Sequence, residues 1–114
     1  MAEDGRSEAL RVQDIRERIS RIREFTVGGR NAFFASTLIQ DAVVRNIEVI
    51  GEAAKNIGPD TRELAPSVPW ADKCGMRDFV AHAYHRLDLE RVWQVVERRL
   101  DELDHAMSEL QAKL

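Results

Sequence analysis

Arg77, His82 and Tyr84 stand in an Arg-x4-His-x-Tyr pattern within Gly75-Met76-Arg77-Asp78-Phe79-Val80-Ala81-His82-Ala83-Tyr84-His85. An imidazole that titrates near neutral pH suits proton transfer. A guanidinium suits a phosphodiester and the charge that develops in its transition state, and a phenol adds a hydroxyl. Together these are parts for metal-free RNA cleavage, in which the 2′-OH attacks the adjacent phosphate and a histidine acts as base or acid. With residues 77 to 82 helical, Asp78 and His82 are four apart and about 40° around the axis, so they share a face. The carboxylate then orients the ring and favours its charged form. Arg77 and His82 are about 140° apart and flank a cleft less directly. From spacing alone, an arginine in a surface ion pair, a histidine in a polar patch and a tyrosine in a bundle wall form the simpler account.

Other polar residues carry weaker signals. Asn46 falls between apolar rows of a helix and needs a hydrogen-bond partner if half-buried; a structural bond is its first expected role, and support of the cleft its second. His85 and Asp78 together with His82 offer three ligand types, but no fourth ligand is evident and Cys74 is badly placed, so no metal or other cofactor is expected. Glu48, Glu52 and Lys55 read as solvated pairs on a helix surface. His105 reads as a surface residue, and Trp70, Phe79 and Trp93 as core.

The elements that must hold these groups are helices. Val12, Ile15, Ile19 and Ile22 recur at steps of three and four, which predicts a helix from about Ser7 to Phe25, ended by Gly28-Gly29. Asn31 is expected to cap a short turn carrying Phe33 and Phe34. A second long helix is predicted from Thr37 to Ile57, on the stripe Ile39, Val43, Ile47, Ile50, Ala54 and Ile57. Gly58-Pro59 stops it, and Asp60 with Glu63 predicts a capping box on a short helix. Pro66 and Pro69 fence a loop that leads to the stretch from Gly75 to Tyr84. Asp88 reads as the N-cap of one last helix, whose stripe runs Leu89, Val92, Val96, Leu100, Leu103, Met107, Leu110 and Leu114. That stripe is long enough for part of it to face a second subunit. The expected fold is an all-α bundle of four to five helices over residues 1–114, one domain with residues 1–6 as a disordered tail.

Composition bounds the function. The 114 residues are 44% hydrophobic and 32% charged, a folded composition without an apolar run of membrane-spanning length. Met1-Ala2-Glu3-Asp4-Gly5 lacks the basic and apolar regions of a signal peptide, and the single cysteine cannot form an internal disulfide. These features predict a cytoplasmic protein with no membrane partner. The net charge of −3 argues against a protein that coats nucleic acid broadly, but not against a local basic cleft, since 14 of the 17 basic residues are arginine.

Several ordered motifs add to this reading. Arg45-Asn46-Ile47-Glu48-Val49-Ile50-Gly51-Glu52-Ala53-Ala54-Lys55, Val68-Pro69-Trp70, the Arg-x4-His-x-Tyr pattern and Asp88-Leu89-Glu90-Arg91-Val92-Trp93 occur in the order and spacing of one family. The chain resembles the HepT-like toxin branch of the HEPN superfamily over nearly its whole length. The resemblance implies a helical bundle that pairs as a two-fold homodimer, with both signatures lining one cleft. It implies a metal-independent ribonuclease toxin acting on cellular RNA, with tRNA the favoured substrate. Its implied antitoxin is an MntA-like minimal nucleotidyltransferase that adenylylates the signature tyrosine. Carried onto this sequence, Arg77 and His82 are the catalytic pair and Tyr84 is the modified residue; Asp78, Tyr84 and Asn46 are expected to position the substrate or support the site. The sequence departs from the family at Asp78, where an asparagine or another neutral polar residue is usual. A carboxylate there raises the pKa of His82 or repels RNA phosphate. The competing expectation is a non-catalytic nucleotide- or RNA-binding partner of a nucleotidyltransferase, with Asp78 marking lost catalysis.

Overall fold

Val12, Ile15, Ile19 and Ile22 are each fully shielded from solvent, and they mark the inner face of helix α1 (Ala2–Phe25). The computed structural model describes the backbone of residues 2–66 and 88–114, with side chains from residue 7 onward. The helix starts at Ala2 rather than near Ser7. It packs on α3 (Thr37–Lys55) and on α6 (Leu100–Lys113). From α3 come Val43, Val44, Ile47, Ile50 and Ala54; from α6 come Leu100, Leu103, Met107 and Leu110. Six helices and no strand occur among the described residues.

The turns follow from local chemistry. After α1 the chain reverses through Gly28 and Gly29. Gly29 has φ 85°, a left-handed conformation that glycine adopts without steric cost. A Cβ on Gly28 would stand 2.9 Å from the Cβ of Ala32, too close to fit. Short helix α2 (Gly29–Ala35) follows. Asn31 lies inside α2 and does not cap it; Gly28 holds the N-cap position without a side-chain bond. The helix begins three residues earlier than the sequence suggests, with Gly28 in place of Asn31 as its N-cap, because the glycine pair already completes the reversal. The side chain of Gln40 donates to the carbonyls of Phe33 (3.0 Å) and Phe34 (3.3 Å), which satisfies the end of α2. Ser36 then caps α3, its hydroxyl accepting the N–H of Ile39 at 3.2 Å.

The far end of α3 is closed by an arginine. Arg62 donates to the carbonyl oxygens of Ile57 (2.9 Å), Ala54 (3.2 Å) and Lys55 (3.3 Å). Helix α4 (Pro59–Glu63) starts with proline at its first turn, where no N–H is needed. The expected capping box is not formed. Asp60 lies inside the first turn and Gly58 is the N-cap. The carboxylate of Glu8 on α1 accepts the N–H of Gly58 at 3.0 and 3.2 Å, joining residues fifty apart in sequence.

The C-terminal helix is interrupted. Helix α5 (Leu89–Arg98) ends at Arg99, whose φ is −107°, and α6 begins at Leu100. The helical hydrogen bonds still pass through: Arg99 N–H to Val95 O at 2.9 Å, and Leu103 N–H to Arg99 O at 3.0 Å. The result is one distorted rod rather than two packed helices. Leu114, expected on the buried stripe, is 46% exposed. Arg16 and Arg23, on the same side of α1, both reach Asp104 on α6, at 3.2 and 3.0 Å. Arg16 also donates to the side chain of Gln111 (2.6 Å), and Arg23 to Asp101 (2.6 Å).

Phe33 anchors α2 in the core. Its ring lies 5.3 Å from that of Trp93 and edge-on to Phe34 at 5.2 Å. No helix among the described residues is long and apolar enough to cross a membrane. The expected third helical stretch, Gly75 to Tyr84, lies outside the described residues, as do Trp70 and Phe79. Phe33→Ala is expected to cost about 3–5 kcal/mol of stability, while Val27→Ala, at a side chain 88% exposed, stays within about 0.5 kcal/mol. Urea unfolding of the two variants checks both values.

Candidate functional site

Asn46 is the member of the expected site that the described residues contain. Its helix α3 turns it toward α1, and only 5% of its surface remains exposed. Its amide donates to the carbonyl of Ala42 at 2.7 Å, and its side-chain oxygen accepts from the guanidinium of Arg18 at 3.3 Å. A buried amide with both ends bonded has the structural role that the sequence suggests. Arg18 is also 3.7 Å from Asp14 one turn earlier on α1. Asp14 in turn borders a shallow groove between α1 and α3, lined also by Arg45, Glu48, Val49, Glu52 and Asn56. Arg45 and Glu48 pair at 3.8 Å across one turn. Acids outnumber bases along this groove, which makes it a poor cradle for a polyanion.

Arg77, Asp78, His82 and Tyr84 lie outside the described residues, and so do Cys74 and His85. His105 is exposed, as expected of a surface residue. Trp93 is buried, 7% exposed, and its indole N–H points to Glu97 at 3.3 Å. Among the described residues no group of three or more His, Cys, Asp or Glu side chains could hold a metal ion.

The described chain resumes just past the signature at Asp88. The Asp88 carboxylate accepts the N–H of Arg91 at 3.3 Å and pairs with its guanidinium at 3.0 Å, a cap read correctly from the sequence. Next to it, Arg30 on α2 grips Glu90 with two nitrogens, at 2.8 and 2.5 Å. The same guanidinium lies 4.8 Å from the centre of the Phe34 ring. The bonds from Arg30 hold the Glu90 carboxyl below its ordinary pKa, and those to Glu90 raise that of Arg30. Sequence reasoning missed Arg18, Glu8 and the Arg30–Glu90 pair. Each joins residues 28 or more positions apart, beyond the reach of helical periodicity.

The comparisons are consistent with this all-helical architecture. Residues 15–110 match the family described as Ribonuclease HepT-like, and the chain belongs to that family. The matched span contains Asn46 and the whole of the signature. A Thermococcus cleftensis protein named "Probable ribonuclease HepT" is 40% identical over 96 residues, covering 81% of this chain and 84% of its own length. A Methanocaldococcus jannaschii protein named "Gamma-glutamylcyclotransferase and putative RNase MJ0434" is 37% identical over 101 residues, covering 88% of this chain. The match spans only 46% of that longer protein. A second protein of that organism, "Putative RNase MJ1380", is 38% identical over 84 residues, 73% of this chain and 77% of its own length. Comparison with solved structures returns no match.

Two outcomes follow for the described groups. Asn46→Ala removes the acceptor of Arg18 and is expected to cost about 1–3 kcal/mol, read by urea unfolding. Arg30→Gln is expected to return the Glu90 carboxyl upward toward its ordinary value of 4.5, followed by NMR titration. Because the folded value is lowered, the pair's contribution to stability is present above pH 4.5 and is lost as pH falls through the folded value.

Proposed function

We propose that this chain is a metal-independent RNA endonuclease, the toxin of a toxin–antitoxin pair. The observation that carries the reading is the family match over residues 15–110, which takes in Arg77, His82 and Tyr84 at the signature spacing. Relatives that match over most of their own length and are named as ribonucleases support the same reaction class.

In this mechanism the 2′-OH of one ribose attacks the adjacent phosphorus. The new bond is O2′–P and the broken one is P–O5′, giving a 2′,3′-cyclic phosphate and a free 5′-OH. His82 takes the proton from the 2′-OH or delivers one to the leaving 5′ oxygen. Arg77 binds the phosphate and offsets the charge that builds on its oxygens. Tyr84 positions the substrate, with Asp78 and Asn46 in support. Pairing of two chains about a two-fold axis presents each residue twice to one cleft. It also gathers four signature cations from two subunits that are acidic overall. The favoured substrate is tRNA.

Control follows from the same groove. An MntA-like nucleotidyltransferase acts as antitoxin by transferring AMP to the Tyr84 hydroxyl. The nucleotide fills the cleft, and its phosphate adds negative charge where RNA phosphate would sit.

The test is incubation of the purified protein with total RNA in EDTA. Wild type is expected to cut, and His82→Ala to lose at least about a hundredfold in rate while remaining a folded dimer. Cleavage by His82→Ala at the wild-type rate rejects this mechanism. Intact RNA with the wild type, and harmless expression of the gene alone, favour the non-catalytic partner of a nucleotidyltransferase.

A further inference from the structure

Helix α1 keeps one face open to solvent. Leu10, Asp14, Arg21 and Phe25 follow one another at steps of four, seven and four, which holds them within about 60° of each other around the axis. Leu10 is 57% exposed and Phe25 40%. Asp14 is 3.7 Å from Arg18, a long ion pair with its own carboxylate part-exposed. Arg21 is exposed and makes no ion pair among the described residues. Along this face the order is symmetric: apolar, acid, base, apolar. Leu10 and Phe25 stand equally far from the midpoint between Glu17 and Arg18, and so do Asp14 and Arg21. A two-fold axis at that midpoint sets a second copy of the helix antiparallel to the first. Leu10 then meets Phe25 of the other copy, and Asp14 meets Arg21 of the other copy, each contact made twice.

Helix α3 extends the same pattern. The bonds from Glu8 to Gly58 and from Arg18 to Asn46 show that α1 and α3 run antiparallel, with position 18 beside position 46. The axis therefore passes close to Arg45 and Glu48, which carry opposite charges. Arg45 is highly exposed and reaches Glu48 only at 3.8 Å, so both are free to meet the opposite charge of a second copy. Val49 and Ala53 supply apolar surface in the groove beside them. Leu38, 79% exposed in the first turn of α3, lies at the same end of the bundle as Phe25. Like charges oppose at Glu17, which stands next to the axis at the outer edge, where water and salt screen it. A face of mixed sign suits neither a polyanion nor an anionic membrane, each of which needs an excess of cations. Its charges are matched by a copy of itself.

We propose that the outer face of α1 and α3 is a self-complementary interface: a second copy of this chain docks on it antiparallel, with Leu10 against Phe25 and Asp14 against Arg21. This gives the two-fold pairing proposed above a face; it rests on that pairing and not on RNA cleavage. The apolar contacts lie at the two ends and the charge contacts between them, so the charges set the register while the apolar ends add affinity.

The experiment is sedimentation equilibrium of the full-length chain, from about 10 μM to about 1 mM, a range that includes weak and transient interfaces. Wild type is expected to form a reversible dimer. Arg21→Glu and Asp14→Lys each place like charges against one another twice, and each is expected to raise the dissociation constant at least about tenfold. Melting is expected to change little, because both side chains are at the surface. Mixed in equal amounts, the two variants present opposite charges to each other and are expected to pair. Both reversals in one chain are expected to restore the dimer. Should a reversal unfold the chain, Leu10→Asp on the same face is expected to weaken pairing in the same way. A wild type that stays monomeric throughout overturns the inference together with the pairing. Single variants that dimerise like the wild type, or a mixture that associates no better than its components, overturn the face and leave the pairing standing. RNA cleavage is assayed separately, so its presence or absence bears on the ribonuclease reading alone.

Discussion

The bundle depends on one buried seam, the isoleucine and valine face of α1 between α3 and α6. Val12, Ile15, Ile19 and Ile22 have no solvent exposure, and the surfaces they meet on α3 and α6 are equally closed. With each buried aliphatic side chain contributing on the order of 1.5–3 kcal/mol, this seam is the main force that holds three long helices together. It is also indifferent to detail. Repeating aliphatic faces pack acceptably in more than one register, so the seam selects a bundle without fully fixing how its helices are aligned.

Polar contacts supply that alignment, and they lie around the margin of the seam. Glu8 meets Gly58 at one end of α1, Arg18 meets Asn46 near its middle, and Arg16 and Arg23 meet Asp104 on the opposite side. Few are individually strong, since most are part-exposed and screened by water. Their importance lies in direction. The groove between α1 and α3 carries more acids than bases. With a net charge of −3 over the whole sequence, that groove offers a polyanion no general electrostatic attraction.

The helices were legible because aliphatic periodicity is a local signal. All four expected core positions on α1 are buried, and so are Val43, Ile47, Ile50, Ala54 and Ile57. Asp88 was legible as a cap for the same reason. What escaped were features set by tertiary contact. Asn31 and Asp60 have capping chemistry, yet glycine took the N-cap position of both short helices because the reversals were already made. The interruption at Arg99 has no glycine or proline to announce it. Of the candidate site, Asn46 was read correctly as a buried amide in need of partners, but Arg18 as its partner was not readable. The signature itself was recognised from residue types in order, through family resemblance and not through periodicity.

Arg16 and Arg23 are separated by seven residues, two helical turns, and grip the two oxygens of one carboxylate from opposite directions along the axis. Such a fork acts as a detent against sliding. Moving α1 one turn toward either end would bring one guanidinium past Asp104 and pull the other out of reach, so neither direction of travel is free. Shear along this helix pair is thereby opposed in both directions, to the modest extent that two part-exposed ion pairs can oppose it.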